Sequence, residues 1–221
     1  MIKILLFTLT ILFSNLTFAK TPIDLGLKEG IDFISITPKN ETLVSDKFSK
    51  PVLIDFFWYG CPHCFKMKPL IDETIKKYGS SINVIHYPVP FHNWEQGTKV
   101  FFTLQKLNLF EKYHSEIFNI IHTQGIKLHE NQDALLKFFQ SKNEDVSLIK
   151  NTLNSFEINS KVNQAKKVID SYQIQSTPVF ALVIDGKTYL VDPAMLKSYE
   201  KTNNIIDTIL KNNINNKSLL K

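Results

Sequence analysis

The chain of 221 residues holds two cysteines, and both fall in one tetrapeptide, Cys61-Pro62-His63-Cys64. Thiols three residues apart can close a staple, hold half of a zinc site, or exchange disulfides. A staple gains little here: the chain-entropy model gives about 2 kcal/mol for so short a loop, against about 3 for one of fifteen residues. Structural zinc needs two more ligands, and there is no second cysteine pair. The series His114, His122, His129 is spaced more widely than the usual pair of zinc histidines. No metal and no cofactor is expected. A redox-active dithiol remains.

The flanking residues explain how such a dithiol would be tuned. Val52-Leu53-Ile54-Asp55-Phe56-Phe57 is an apolar run with one charge, the pattern of a central strand buried on both faces. Trp58-Tyr59-Gly60 turns the chain, and a helix is predicted over 62–78. With Cys61 at the N-cap, Pro62 falls at the first helical position, where its missing N–H costs nothing. The backbone N–H groups of His63 and Cys64 then point back at the Cys61 sulfur. The positive end of the helix dipole favours an anion there, so the Cys61 thiol should ionise below the ~8.5 of a free cysteine. Cys64, one turn in, is expected to be the buried resolving thiol. The His63 ring is expected to donate to the thiolate or to carry positive charge beside it. A stabilised thiolate makes the disulfide form eager to accept electrons, so an oxidant is favoured over a reductant.

The first residues read as an export address. Met1-Ile2-Lys3 is a short basic start, an apolar run follows over 4–13, and Thr17-Phe18-Ala19 has the small-x-small cleavage pattern. A membrane span needs about 20 mostly apolar residues, and Ser14, Asn15 and Thr17 interrupt this one early. The expectation is a signal peptide over 1–19, cut after Ala19, and a mature domain over 20–221 in the oxidising periplasm of a bacterial envelope. The composition, 43% hydrophobic and 21% charged, is that of a globular domain and excludes a polytopic membrane protein. The net charge of +5 is spread through the chain with no basic block, so no nucleic-acid partner is expected.

Far along the chain, Ser176-Thr177-Pro178 precedes an apolar strand over 179–184, an Asp185-Gly186 hairpin signal and a return strand over 187–191. A cis bond occurs at only about 5–6% of X-Pro positions, but a cis turn at the head of a strand beside the dithiol would bring Thr177 and Pro178 against the sulfurs. Together, the 52–57 run, Cys61-Pro62-His63-Cys64, Thr177-Pro178 and the Asp-Gly hairpin resemble the DsbA family of exported thiol:disulfide oxidoreductases. The resemblance implies an α/β thioredoxin fold with an inserted helical subdomain, and a disulfide donated to newly exported proteins. It also implies reoxidation by a quinone-linked membrane partner like DsbB. A depressed pKa of the first cysteine is a known property of that family. The family commonly pairs a carboxylate on the strand before the motif with a basic residue on the next strand. Asp55 takes the first place, as a proton relay, and His86 stands where a lysine is familiar.

Between a strand predicted over 82–89 and Pro178, helical stripes fill an insertion at about 94–173. They are Val100, Phe101, Leu104 and Leu107; Phe110, Tyr113, Ile117 and Ile121; Leu135, Leu136 and Phe139; and Ile158, Val162, Ala165, Ile169 and Tyr172. Asn108, Gly125, Ser141 and Asn143 mark breaks. Trp58 and Tyr59 are expected on the surface, as an apolar site for reduced, unfolded exported proteins, and Phe91 in the core. Within residues 20–50 there is too little chain for the dimerisation domain of a periplasmic isomerase, so a monomer is expected. The rival readings are a reductase or isomerase on the same fold, and a non-catalytic binding module or chaperone for unfolded chains.

Overall fold

The computed structural model describes residues 26–39, 43–44 and 49–218. The expected signal peptide and its cleavage site lie outside these residues. A five-stranded mixed sheet runs in the order β1 (Ile34–Ile36), β5 (Lys187–Val191), β4 (Val179–Ile184), β2 (Val52–Phe57), β3 (Asn83–Pro88). β2 is central: it pairs parallel with β3 and antiparallel with β4, and Val52, Leu53, Ile54 and Phe56 are wholly buried. That is why its sequence lacks the polar alternation of a half-exposed strand. Asp185 and Gly186 join β4 to β5 with φ of 49° and 77°, the pair of positive angles that a tight hairpin needs.

The side chains of β2 alternate between two apolar clusters. Val52, Ile54 and Phe56 meet the helices that lie between β3 and β4. Leu53 meets α1 (Pro62–Tyr78) and α8 (Tyr199–Ser218) through Met67, Ile71, Ile206 and Leu210. The inserted helices are α2 (Glu95–Lys106), α3 (Phe110–Gln124), α4 (Gln132–Ser141), α5 (Val146–Leu153) and α6 (Phe156–Ser171). Their inner stripes are core: Phe101, Tyr113, Ile117, Phe139, Ile158, Ala165 and Tyr172 are all buried. The chain reverses at Asn108, Gly125 and Asn143, each with positive φ, as the break residues require. α5 had no stripe in the sequence because eight residues give only two buried positions, Ile149 and Leu153; its start is set by Asp145, which accepts from the Leu148 N–H at 2.9 Å. The α/β thioredoxin class with an inserted helical subdomain holds.

Two short devices place α8. The cap residue Asp192 and Pro193 start α7 (Pro193–Leu196), which ends at Lys197 with φ 53°. The Ser198 hydroxyl then accepts from the Lys201 N–H at 3.1 Å. α8 is tied to α1 by Thr74 donating to Asn203 at 2.9 Å, and by Lys77 and Tyr78 donating to Asp207 at 2.5 and 2.8 Å. Among the described residues no helix is long and apolar enough to cross a membrane.

Candidate functional site

α1 begins as its sequence requires. Cys61 is the N-cap in extended conformation, Pro62 follows at the first helical position, and the Cys64 N–H donates to Cys61 Sγ at 3.2 Å. The turn from β2 is closed by the Cys61 N–H donating to the Trp58 carbonyl at 3.0 Å. β4 runs antiparallel to β2 with Val179 opposite Phe56. The residues just before Val179 therefore reach past the end of β2 to the cysteines. There the Thr177–Pro178 peptide is cis, and the Cys61 thiol donates to the Thr177 carbonyl at 3.4 Å. Thr177 thus meets the Cys61 sulfur across 116 residues of sequence, with Pro178 beside it in the chain and Pro62 beside Cys61.

The two thiols are unbonded here, and their environments push them apart. Cys61 is drawn down from 9.0 to about 6. The Cys64 thiol donating to it contributes most; burial opposes, and the Thr177 side chain and the Cys64 and His63 backbone N–H groups assist. Cys64 is pushed well up, first by burial and then by the hydrogen bond and charge of Cys61, with the Asp55 charge adding to it. The helix start therefore acts as expected but is not the leading cause. The neighbouring thiol is, because a donor aimed at the sulfur favours the anion directly.

The His63 ring differs from expectation. It is exposed, and its Nδ1 hydrogen-bonds the Tyr199 hydroxyl at the start of α8, so it is the His63 backbone that serves Cys61. Ring and hydroxyl border a groove of about 320 Å³ that is also lined by Thr177, Pro178, Pro193 and Lys197. Tyr199 has no sequence signal, being 136 residues from its partner.

Trp58 and Tyr59 are not a surface patch. Tyr59 is 1% exposed and donates to or accepts from His114 Nδ1 at 2.9 Å, and Trp58 stacks on Trp94 at 4.1 Å with 6° between the planes. Tyr59 departs from expectation because the turn after β2 folds under the inserted helices rather than outward, whereas Trp58 is half-buried. Phe91 is half-buried, packed beside Trp94 against the main core cluster. Gly60 is demanded by close approach: a Cβ there would lie 2.4 Å from His129 Nε2 and 2.5 Å from the Trp58 ring.

Beneath the cysteines lies a polar chain. Asp55 and His86 are directly opposite on β2 and β3, and His86 Nδ1 is 3.0 Å from Asp55 Oδ2, with side chains 19% and 16% exposed. The His86 ring lies 5.2 Å from that of His114, which in turn holds Tyr59. Burial drives the His114 pKa well below 6.5, so that ring is neutral at pH 7. Among the described residues no group of three or more His, Cys, Asp or Glu side chains could hold a metal ion.

A family model described as Thioredoxin matches residues 39–208. The thiol:disulfide interchange protein DsbA of Burkholderia cepacia is 34% identical over 174 residues, 78% of this chain and 80% of that protein. The DsbA of Pseudomonas syringae pv. tomato is 28% identical over 186 residues, 83% of each. A crystal structure of a Pseudomonas aeruginosa DsbA variant superposes with a TM-score of 0.72 at 25% identity, covering 84% of this chain and 97% of that one. The oxidoreductase DsbA of Xylella fastidiosa, at 20% identity, 82% and 94% coverage and a TM-score of 0.71, shares the fold. On this coverage and identity, the chain belongs to the DsbA-like thiol:disulfide interchange proteins of the thioredoxin superfamily and is a disulfide oxidoreductase.

Proposed function

We propose that Cys61 and Cys64 are the catalytic pair, that Cys61 carries the mixed disulfide and Cys64 resolves it, and that the direction is oxidation of newly exported proteins. In the donating half, a substrate thiolate attacks Cys61 Sγ of the disulfide, the Cys61–Cys64 bond breaks, and Cys64 leaves as a thiolate that takes up a proton. A second substrate thiolate then attacks the substrate sulfur of the mixed disulfide and expels Cys61 as its stabilised thiolate. The substrate gains a disulfide and this protein becomes the dithiol. In the return half, the Cys61 thiolate attacks a disulfide of the oxidising partner and expels one partner thiolate; Cys64, losing its proton, then attacks Cys61 Sγ and expels the second, so that the Cys61–Cys64 bond is restored and the partner is left as the dithiol. The observation that carries this direction is the asymmetry of the pair: Cys61 drawn down to about 6 and Cys64 pushed up. The first is a good leaving group, and the second a thiol that holds its proton once released.

Asp55, hydrogen-bonded to His86 and felt electrostatically by Cys64, is the relay that supplies and removes that proton. Pro62 starts the helix at the sulfur, the backbone N–H of His63 helps hold the thiolate, and Thr177 and Pro178 form the side against which a substrate chain rests. The cellular setting is the periplasm, reached by a signal peptide cut after Ala19. The partners are reduced, unfolded exported proteins and a quinone-linked membrane reoxidase of the DsbB type, with the protein itself a monomer. Trapping with single-cysteine variants tests the assignment: Cys64→Ser should accumulate a mixed disulfide at Cys61 with a reduced, unfolded protein in oxidising buffer, and Cys61→Ser should accumulate none. Adducts at position 64 in preference to 61 would overturn the assignment.

A further inference from the structure

The hydrogen bond between His63 and Tyr199 links the residue inside the dithiol loop to a different element, the start of α8. Tyr199 is not free to drift. Ser198 caps the helix behind it, and the Thr74–Asn203 and Tyr78–Asp207 hydrogen bonds fasten α8 to the helix on which His63 sits. The ring centroids of His63 and Tyr199 are 6.1 Å apart, close enough for a direct bond and too far for stacking to compete with it. The direction follows the tautomer: the Tyr199 hydroxyl donates to an unprotonated Nδ1, and an Nδ1–H donates to the hydroxyl. In either case Nδ1 is committed to Tyr199, while Cys61 Sγ is served by the Cys64 thiol, the Cys64 and His63 backbone N–H groups and Thr177.

We propose that Tyr199 is a positioning residue for His63, holding the imidazole against the start of α8 and so making the dithiol less oxidising than a freely turning His63 would make it. The proposal rests on the reading that a stabilised Cys61 thiolate sets the redox balance of the dithiol. The size of the effect follows from one net hydrogen bond, which biases a two-state equilibrium by about two- to tenfold. Releasing the ring lets Nδ1–H reach the thiolate and adds a donor that stabilises the reduced form.

The test compares wild type, Tyr199→Phe, His63→Ala and the double variant, each equilibrated with glutathione and each titrated for the Cys61 thiolate, with the His63 ring followed by NMR. Phenylalanine keeps the ring in the groove and removes only the hydroxyl. The expected result is a shift of about two- to tenfold toward the dithiol in Tyr199→Phe, a lower Cys61 midpoint, altered His63 ring-nitrogen shifts, and no effect of Tyr199→Phe once His63 is alanine. If Tyr199→Phe leaves the equilibrium unchanged or moves it toward the disulfide, the positioning role is overturned while the reading of Cys61 as the stabilised thiolate stands. An equal effect of Tyr199→Phe with and without His63 also overturns the proposal. If the wild-type Cys61 midpoint proves to be that of an ordinary thiol, the reading of Cys61 as the stabilised thiolate falls and the Tyr199 proposal with it.

Discussion

Replacing Cys64 with alanine removes the donor that contributes most to the depressed Cys61 pKa. The drop from 9.0 to about 6 corresponds to about 4 kcal/mol at roughly 1.36 kcal/mol per unit. A hydrogen bond to a charged acceptor contributes about 1.5–3 kcal/mol, or about one to two units. The rest belongs to what alanine leaves in place: the Cys64 and His63 backbone N–H groups, the Thr177 side chain and the helix start. The Cys61 midpoint in Cys64→Ala should therefore rise to about 7–8 and stop short of an ordinary thiol. The assay is the ultraviolet absorbance of the thiolate against pH, checked by the pH dependence of alkylation. A midpoint that stays near that of the wild type would show that the helix start alone holds the thiolate. A midpoint that returns fully to the ordinary value would show that the backbone groups contribute nothing. Either result refutes this apportionment.

The same pKa makes the dithiol form pH-sensitive. A pKa lowered from 9.0 to about 6 gives stability that is complete above the unfolded value and is lost as pH falls through the folded one; at pH 7 about 1.4 kcal/mol remains. Urea unfolding of both redox forms should therefore show the dithiol losing about that much between pH 7 and pH 5 relative to the disulfide form, which has no thiol to titrate. Equal pH dependence of the two forms would contradict the thiolate account. Gly60→Ala should destabilise the protein by about 1–3 kcal/mol in the same assay, since the added Cβ meets His129 and Trp58 at 2.4 and 2.5 Å; an unchanged midpoint would mean that the aromatic turn yields freely. Asp55→Asn should slow substrate oxidation by about tenfold or more with little change in the glutathione equilibrium, and stopped-flow fluorescence would show an undiminished rate if Asp55 moves no proton.

Where the local signal was strong, the residues told their own structure. The apolar run 52–57, the Cys61 cap with Pro62 behind it, and the Asp185-Gly186 turn each carry their geometry within a few positions, and the observed β2, α1 and β4–β5 hairpin match them. The pairing of Asp55 with His86 could be framed but not decided, because it depends on the register of two strands thirty residues apart; the register places them directly opposite. Trp58 and Tyr59 show the limit of composition: aromatic residues beside a reactive motif look the same whether they face solvent or the inserted helices, and His114, which fixes Tyr59, lies 55 residues away. Tyr199 and the leading role of the Cys64 thiol in the Cys61 pKa are likewise tertiary facts, set by the seating of α8 on α1 and by the packing around the sulfurs.

The central claim is that the Cys61–Cys64 disulfide is a strong electron acceptor, and its equilibrium with glutathione at pH 7 measures that directly. The chemistry of a stabilised Cys61 thiolate predicts that the disulfide forms only in strongly oxidising mixtures, with a midpoint above the roughly −200 mV of glutaredoxins. A pair that is already oxidised in mostly reduced glutathione, with a midpoint near the roughly −270 mV of a reductant such as thioredoxin, would contradict it.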